Sequence, residues 1–143
     1  AAIGASAGGY MAFWLAGNDN GLYDAFVSHC GIFNLISKYG ATEELFFPNY
    51  DNGGAWWQNR KYYDENSPHN FVKNWKKPIM IITGEKDYRV SYTQSLEAFT
   101  AAGELGVPAR LVVYPNENHW VIKPQEKLIW YSEFYSFLDE YLK

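Results

Sequence analysis

The first nine residues constrain this chain more than any other stretch. Ala1-Ala2-Ile3 is an apolar stub that runs straight into Gly4-Ala5-Ser6-Ala7-Gly8-Gly9, and the following GGYMAFWLA carries apolar residues at helical spacing. A strand that turns into a helix across G-x-S-x-G holds its serine on a sharp corner with the hydroxyl exposed. Glycines on both flanks are expected to relieve the close contacts of that corner. The start of the helix offers the backbone N–H of Ala7 to an oxyanion. Ala1 is not a methionine, and only a stub precedes the motif. We therefore expect the natural protein to be longer at its N-terminus.

The rest of the chain alternates short β-rich runs with longer helical patterns, the signature of βα units on a parallel sheet. After the stub ending near Gly4, strands are predicted at Ala25–Ser28, Ile79–Thr83 and Arg110–Tyr114. Helices are predicted over Gly9–Ala16, Tyr92–Gly103 and Pro124–Leu142. The last places Leu128, Ile129, Trp130, Phe134, Phe137, Leu138 and Tyr141 among Lys and Glu, as a layer packed on a sheet should. Ile32–Lys77 lacks a clean period and is rich in aromatic residues, Asn and Gly. It reads as short helices and loops forming an insertion over the sheet, and a connection that long in a compact domain is usually functional.

A serine hydroxyl is a weak nucleophile until an imidazole accepts its proton, and the imidazole needs an acid to fix its tautomer. In a sheet of this kind both partners belong on loops leaving the C-terminal edges of strands. Asp87 follows strand IMIIT in the loop TGEKDYRV, and His119 follows RLVVY in the loop PNENHWV. They stand 81 positions after Ser6 and 32 after Asp87, and no other histidine follows Asp87. The order Ser, Asp, His is the one this architecture uses. Among competitors, His29 reads as a structural neighbour of the corner, His69 as a turn residue with a local hydrogen bond, and Glu85 as a distant second choice for the acid. Glu117 and Glu126 read as solvated surface.

Composition narrows the substrate. The formal charge of −4 has no run of like charges behind it, which removes the electrostatic case for nucleic acid or an anionic membrane. No segment approaches the length of a membrane span. Cys30 is the sole cysteine, so no intrachain disulfide can form. No His, Cys, Asp and Glu cluster has metal-ligand spacing along the chain, so neither a metal nor another cofactor is expected. A neutral or peptidic substrate fits better than a polyanion, and the choice of a small peptide waits on resemblance rather than composition.

Beyond these separate signals, GASAGGYMAFWL, SHCGIFNLISKYGATEELFFP, ENSPHNFVKNWKKPIMIITGEKDYRV and ENHWVIKPQEKLIWYSEFYSFLDEYL together resemble the catalytic domain of the prolyl-oligopeptidase family of serine peptidases. They are most similar to its dipeptidyl-peptidase-V and acylaminoacyl-peptidase branch, from Ala1 to Lys143. The resemblance implies the C-terminal part of an α/β-hydrolase fold: a parallel sheet flanked by helices, with the N-terminal strands and an upstream β-propeller lying outside residues 1–143. It implies Ser6, Asp87 and His119 as the catalytic triad, Ala7 as an oxyanion-hole amide, and a side-chain pocket near Ile32, Phe33, Leu35 and Val90. Ala7 departs from the family, where a tyrosine or another larger residue is common. The family's second oxyanion donor lies upstream, so these residues by themselves are expected to turn over weakly or not at all.

Peptide hydrolysis is the activity implied, with a periplasmic or secreted location; the residues alone leave a cytoplasmic one open. An esterase with the same triad is the nearest alternative. A non-catalytic module that folds by pairing its sheet edge with another copy, as a homodimer, is the other. Phe46, Phe47, Trp56, Trp57, Tyr62 and Tyr63 are candidate walls of a substrate channel, although packing of the insertion against the sheet accounts for each one individually.

Overall fold

In the computed structural model, which describes residues 1–142, the apolar runs form four strands: β1 (Ala2–Ala5), β2 (Phe26–His29), β3 (Ile79–Gly84) and β4 (Ala109–Tyr114). They pair in chain order, every pair parallel, with Ala5 opposite His29, His29 opposite Ile82, and Gly84 opposite Tyr114. This register matters for chemistry. It brings the C-terminal ends of all four strands to one edge, where Ser6, Cys30, Asp87 and His119 leave the sheet. Each predicted strand lies within one residue of its observed bounds.

β3 is buried at all six positions. Its unbroken apolar run, unlike an alternating one, requires cover on both faces. One face is covered by α1 (Ala7–Asn18) and α5 (Thr93–Glu104), over a core in which Phe13, Phe26, Phe33, Trp75, Ile79 and Ile81 meet. The other is covered by α6 (Pro124–Tyr141), whose Trp130, Phe134, Phe137, Leu138 and Tyr141 pack on Val27, Met80, Ile82 and Tyr114. Those α6 positions form one stripe at helical spacing. Leu128 and Ile129, expected in the same layer, fall off the stripe and are 73% and 52% exposed.

The long segment between β2 and β3 is mostly ordered secondary structure. It contains α2 (Leu35–Ala41), α3 (Phe46–Asp51), α4 (Arg60–Asn66) and a 3₁₀ stretch, Pro68–Asn74. Its second half docks on the outer side of α1: Tyr10 donates to the Asn66 carbonyl at 2.8 Å, Asn74 donates to the Gly17 carbonyl at 3.1 Å, and Phe71 meets Trp14 edge to face. Its start is tied to α5 by the fully buried Gln94, whose Oε1 accepts the Phe33 and Asn34 N–H groups at 3.1 and 2.8 Å. Two backbone donors that have no ladder partner are satisfied by one side chain there. Of the six aromatic residues considered for a channel, only Tyr63 is fully buried, with its hydroxyl on the Gly54 carbonyl at 3.0 Å. Phe46, Phe47 and Trp57 are at least half exposed, so packing on the sheet does not explain them.

Candidate active site

The corner after β1 is built as its sequence demands. Ser6 has φ 56° and ψ −116°, a conformation costing of order 1–3 kcal/mol that persists only where the surroundings over-determine it. Several backbone contacts do that: the Ser6 N–H donates to the His29 carbonyl at 2.9 Å, and the Ser6 carbonyl accepts from Tyr10 at 2.9 Å. A Cβ at Gly4 would lie 2.2 Å from the Gly8 carbonyl oxygen, so the first glycine of the motif admits the returning helix backbone. Gly8 itself has open space where a Cβ would stand. The expectation that both flanking glycines relieve their own crowding therefore holds for Gly4 and is corrected for Gly8. Ala7 opens α1, so its N–H is one of the first-turn donors that no helical carbonyl accepts.

The acid and base arrive on two loops locked together. Past β3, the Glu85 N–H donates to the Tyr114 carbonyl and the Lys86 N–H to the Glu117 carbonyl, each at 3.0 Å. A Cβ at Gly84 would lie 2.1 Å from the Asn118 oxygen, so the close approach of the two loops requires glycine there. Glu117 is corrected from solvated surface to a buried position, where its Oε1 accepts the Lys123 N–H at 2.7 Å and folds the chain after His119. Burial next to a backbone donor is invisible to a reading of charge alone. Glu126 is half-buried, and Glu85 is exposed, while the imidazole's Nδ1 partner is Asp87.

Within this frame the three predicted residues meet. His119 Nδ1 lies 2.7 Å from Asp87 Oδ2, and His119 Nε2 lies 2.9 Å from Ser6 Oγ. Asp87 is almost fully buried, and its Oδ1 accepts the N–H groups of Arg89 and Val90 at 3.0 and 2.9 Å. A carboxylate anchored in this way is aimed at Nδ1, which fixes the proton there and leaves Nε2 as the acceptor for Ser6. A cleft of about 510 Å³ opens beside it, lined by Glu43, Tyr88, Arg89, Asn118, His119 and Trp120 among others.

The residues expected to form a side-chain pocket lie in other surroundings than the cleft. Val90 is buried behind Asp87 and donates to it. Phe33 sits in the core against Phe13 and Trp75, with ring centroids 5.6 and 5.7 Å away. Leu35 is buried with its N–H on Ser67 Oγ at 2.9 Å, and Ile32 is half-buried. None of Ile32, Phe33, Leu35 and Val90 lines the cleft. His69 makes the local bond expected of it, to Ser67 Oγ at 2.6 Å.

Two buried residues adjoin the triad: His29, expected as a structural neighbour of the corner, and Cys30, whose place beside the base carries no mark in the sequence. His29 is buried between Trp120 and Trp130, with ring centroids 6.0 and 6.1 Å away, and its Nε2 finds no hydrogen-bond partner among the described residues. Burial, with a smaller push from His119, lowers its pKa to about 4. Cys30 follows β2 at φ 44°, and its buried Sγ lies 3.8 Å from His119 Nε2. Burial raises that thiol to about 12.

Comparison with known proteins bears on all of this. The sequence profile of the prolyl oligopeptidase family matches residues 1–143. The chain is 44% identical over 146 residues to dipeptidyl-peptidase 5 of Porphyromonas gingivalis, covering 99% of this chain and 21% of that protein. It is 43% identical over 143 residues to dipeptidyl-peptidase 5 of Schizosaccharomyces pombe, with the same coverage of 99% and 21%. The chain thus spans about a fifth of the length of the curated relatives it matches. Among solved structures, the uncomplexed acylaminoacyl peptidase of Pyrococcus horikoshii superposes with a TM-score of 0.90 at 26% identity, over 99% of this chain and 24% of that one.

Proposed function

The chain belongs to the prolyl oligopeptidase family, and from that membership we propose that the protein is a serine peptidase releasing dipeptides through an acyl-enzyme at Ser6. The observation that carries this reading is the continuous line of hydrogen bonds from Asp87 through His119 to Ser6, at 2.7 and 2.9 Å. In the proposed reaction His119 Nε2 takes the hydroxyl proton as Ser6 Oγ attacks the scissile carbonyl. The imidazolium so formed rests against the Asp87 carboxylate. The tetrahedral oxyanion accepts from the Ala7 N–H, and a single donor of this kind is worth roughly 10²–10³ in rate. His119 then returns its proton to the leaving amine, and water repeats the sequence to free the acyl group.

The strain at Ser6 supports the same reading, because a hydroxyl held at a corner is presented without first having to be reorganised. Dipeptide release is supported by the names of the two relatives. Turnover of dipeptide anilides, N-acylated anilides and short acyl esters, measured side by side on the intact protein, tests the proposal. The free dipeptide anilides are expected to show the highest kcat/KM, with no turnover in Ser6→Ala. Hydrolysis of esters without any peptide cleavage contradicts it.

A further inference from the structure

Cys30, Asp87 and His119 lie 57 and 32 positions apart in sequence, yet each offers a ligand-type atom within 4.8 Å of the others. The three are not equivalent. Asp87 Oδ2 is committed to His119 Nδ1 at 2.7 Å, on the side of the ring away from Nε2. Nε2 and Cys30 Sγ face each other across 3.8 Å. A tetrahedral ion with a thiolate at about 2.3 Å and an imidazole nitrogen at about 2.0–2.1 Å spans about 3.6 Å between those ligands, which the observed separation nearly meets. The arrangement also reproduces the carboxylate–histidine–metal relay, in which an outer carboxylate holds the ligating imidazole in one tautomer. The backbone adds to this. Cys30 is held at φ 44°, in a region that L-residues occupy at a cost, and its sulfur is directed at the base.

We infer that Cys30 and His119 form an inhibitory site for a thiophilic divalent cation such as Zn²⁺, with Asp87 as its outer-shell carboxylate. On binding, the Cys30 S–H bond breaks and its proton passes to solvent. The sulfur lone pair and that of Nε2 are donated to the ion, and Ser6 Oγ or water fills the remaining positions. With Nε2 occupied, no base remains to take the Ser6 proton. Cation binding depends on these side chains alone; its consequence as inhibition rests on the peptidase reading above.

The test pairs a binding signal with a rate. Titrating the intact protein with Co²⁺ is expected to produce a thiolate-to-cobalt charge-transfer absorption that EDTA removes and that Cys30→Ala and Cys30→Ser both lack. Zn²⁺ is expected to suppress peptide hydrolysis reversibly, while each variant, measured against its own metal-free rate, needs at least about 10-fold more Zn²⁺ for the same fractional suppression, the lower bound for losing even an outer-shell partner. No cobalt–thiolate band in the wild type overturns the inference. So does equal Zn²⁺ sensitivity in the wild type and both folded variants. If no substrate is hydrolysed at all, the peptidase reading fails, and the cobalt band still decides the site.

Discussion

Asp87 and His29 are the two buried polar side chains beside the base, and only Asp87 is hydrogen-bonded to it. Asp87 Oδ2 holds the Nδ1 proton while Oδ1 is anchored by two backbone N–H groups, so an amide at this position keeps the shape and loses the tautomer control. Asp87→Asn is expected to lower kcat by roughly 10⁴-fold with little change in KM, as neutralising a triad acid does; steady-state kinetics on the folded variant reads it. His29 is neutral in the folded protein because burial drives its pKa to about 4, with the His119 ring and the Asp87 carboxylate as its charged or titratable neighbours. In the unfolded chain it titrates near its ordinary value of 6.5. Below that value the unfolded state binds the extra proton, so the contribution is complete above about pH 6.5 and is lost as pH falls toward 4. At about 1.4 kcal/mol per unit, the window is worth on the order of 3 kcal/mol. Urea unfolding across it is expected to show falling stability, with a shallower slope in His29→Gln; parallel slopes contradict the assignment.

Between elements, the contact that decides the geometry is the one where the loops after β3 and β4 touch. Gly84 is where it is most exposed to test. Its added methyl would meet backbone oxygens of Glu117 and Asn118 at 2.5 and 2.1 Å, and no flexible side chain can yield there. Gly84→Ala must therefore push away the loop carrying His119, and a displacement of about 1 Å can cost about 10² in rate. We expect kcat to fall by at least that factor while secondary structure by circular dichroism is kept; wild-type kcat contradicts the locked-loop account. This contact was not legible in the sequence, since Thr83-Gly84 reads only as the end of a strand. The triad was legible because strand, corner and loop each leave local marks: the apolar run, the glycine-flanked serine, and a polar loop after each strand. Pocket residues leave none. Phe33 looks alike in a sequence whether it faces a substrate or the core, and only its packing on Phe13 and Trp75 separates the two.

Across the molecule, the parallel order β1-β2-β3-β4 turns a linear sequence into a one-edge site. Each βα step returns the chain to the same end of the sheet, so residues separated by 113 positions, Ser6 and His119, come to share a hydrogen bond. Fold class was legible from periodicity because β3 is covered on both faces and shows it as an unbroken apolar run. The insertion was legible as short helices and loops but not element by element, since α2, α3 and α4 are six or seven residues long, too short to establish a helical period. The chemistry of the site stands on one claim, that this fold makes Ser6 the nucleophile. Incubating the intact protein with a fluorophosphonate and mapping the adduct by peptide mass spectrometry addresses that claim directly. The prediction is a single adduct on the peptide containing Ser6, absent in Ser6→Ala and strongly slowed in His119→Gln. Equal labelling of the wild type and Ser6→Ala, or an adduct on any other serine, would contradict it.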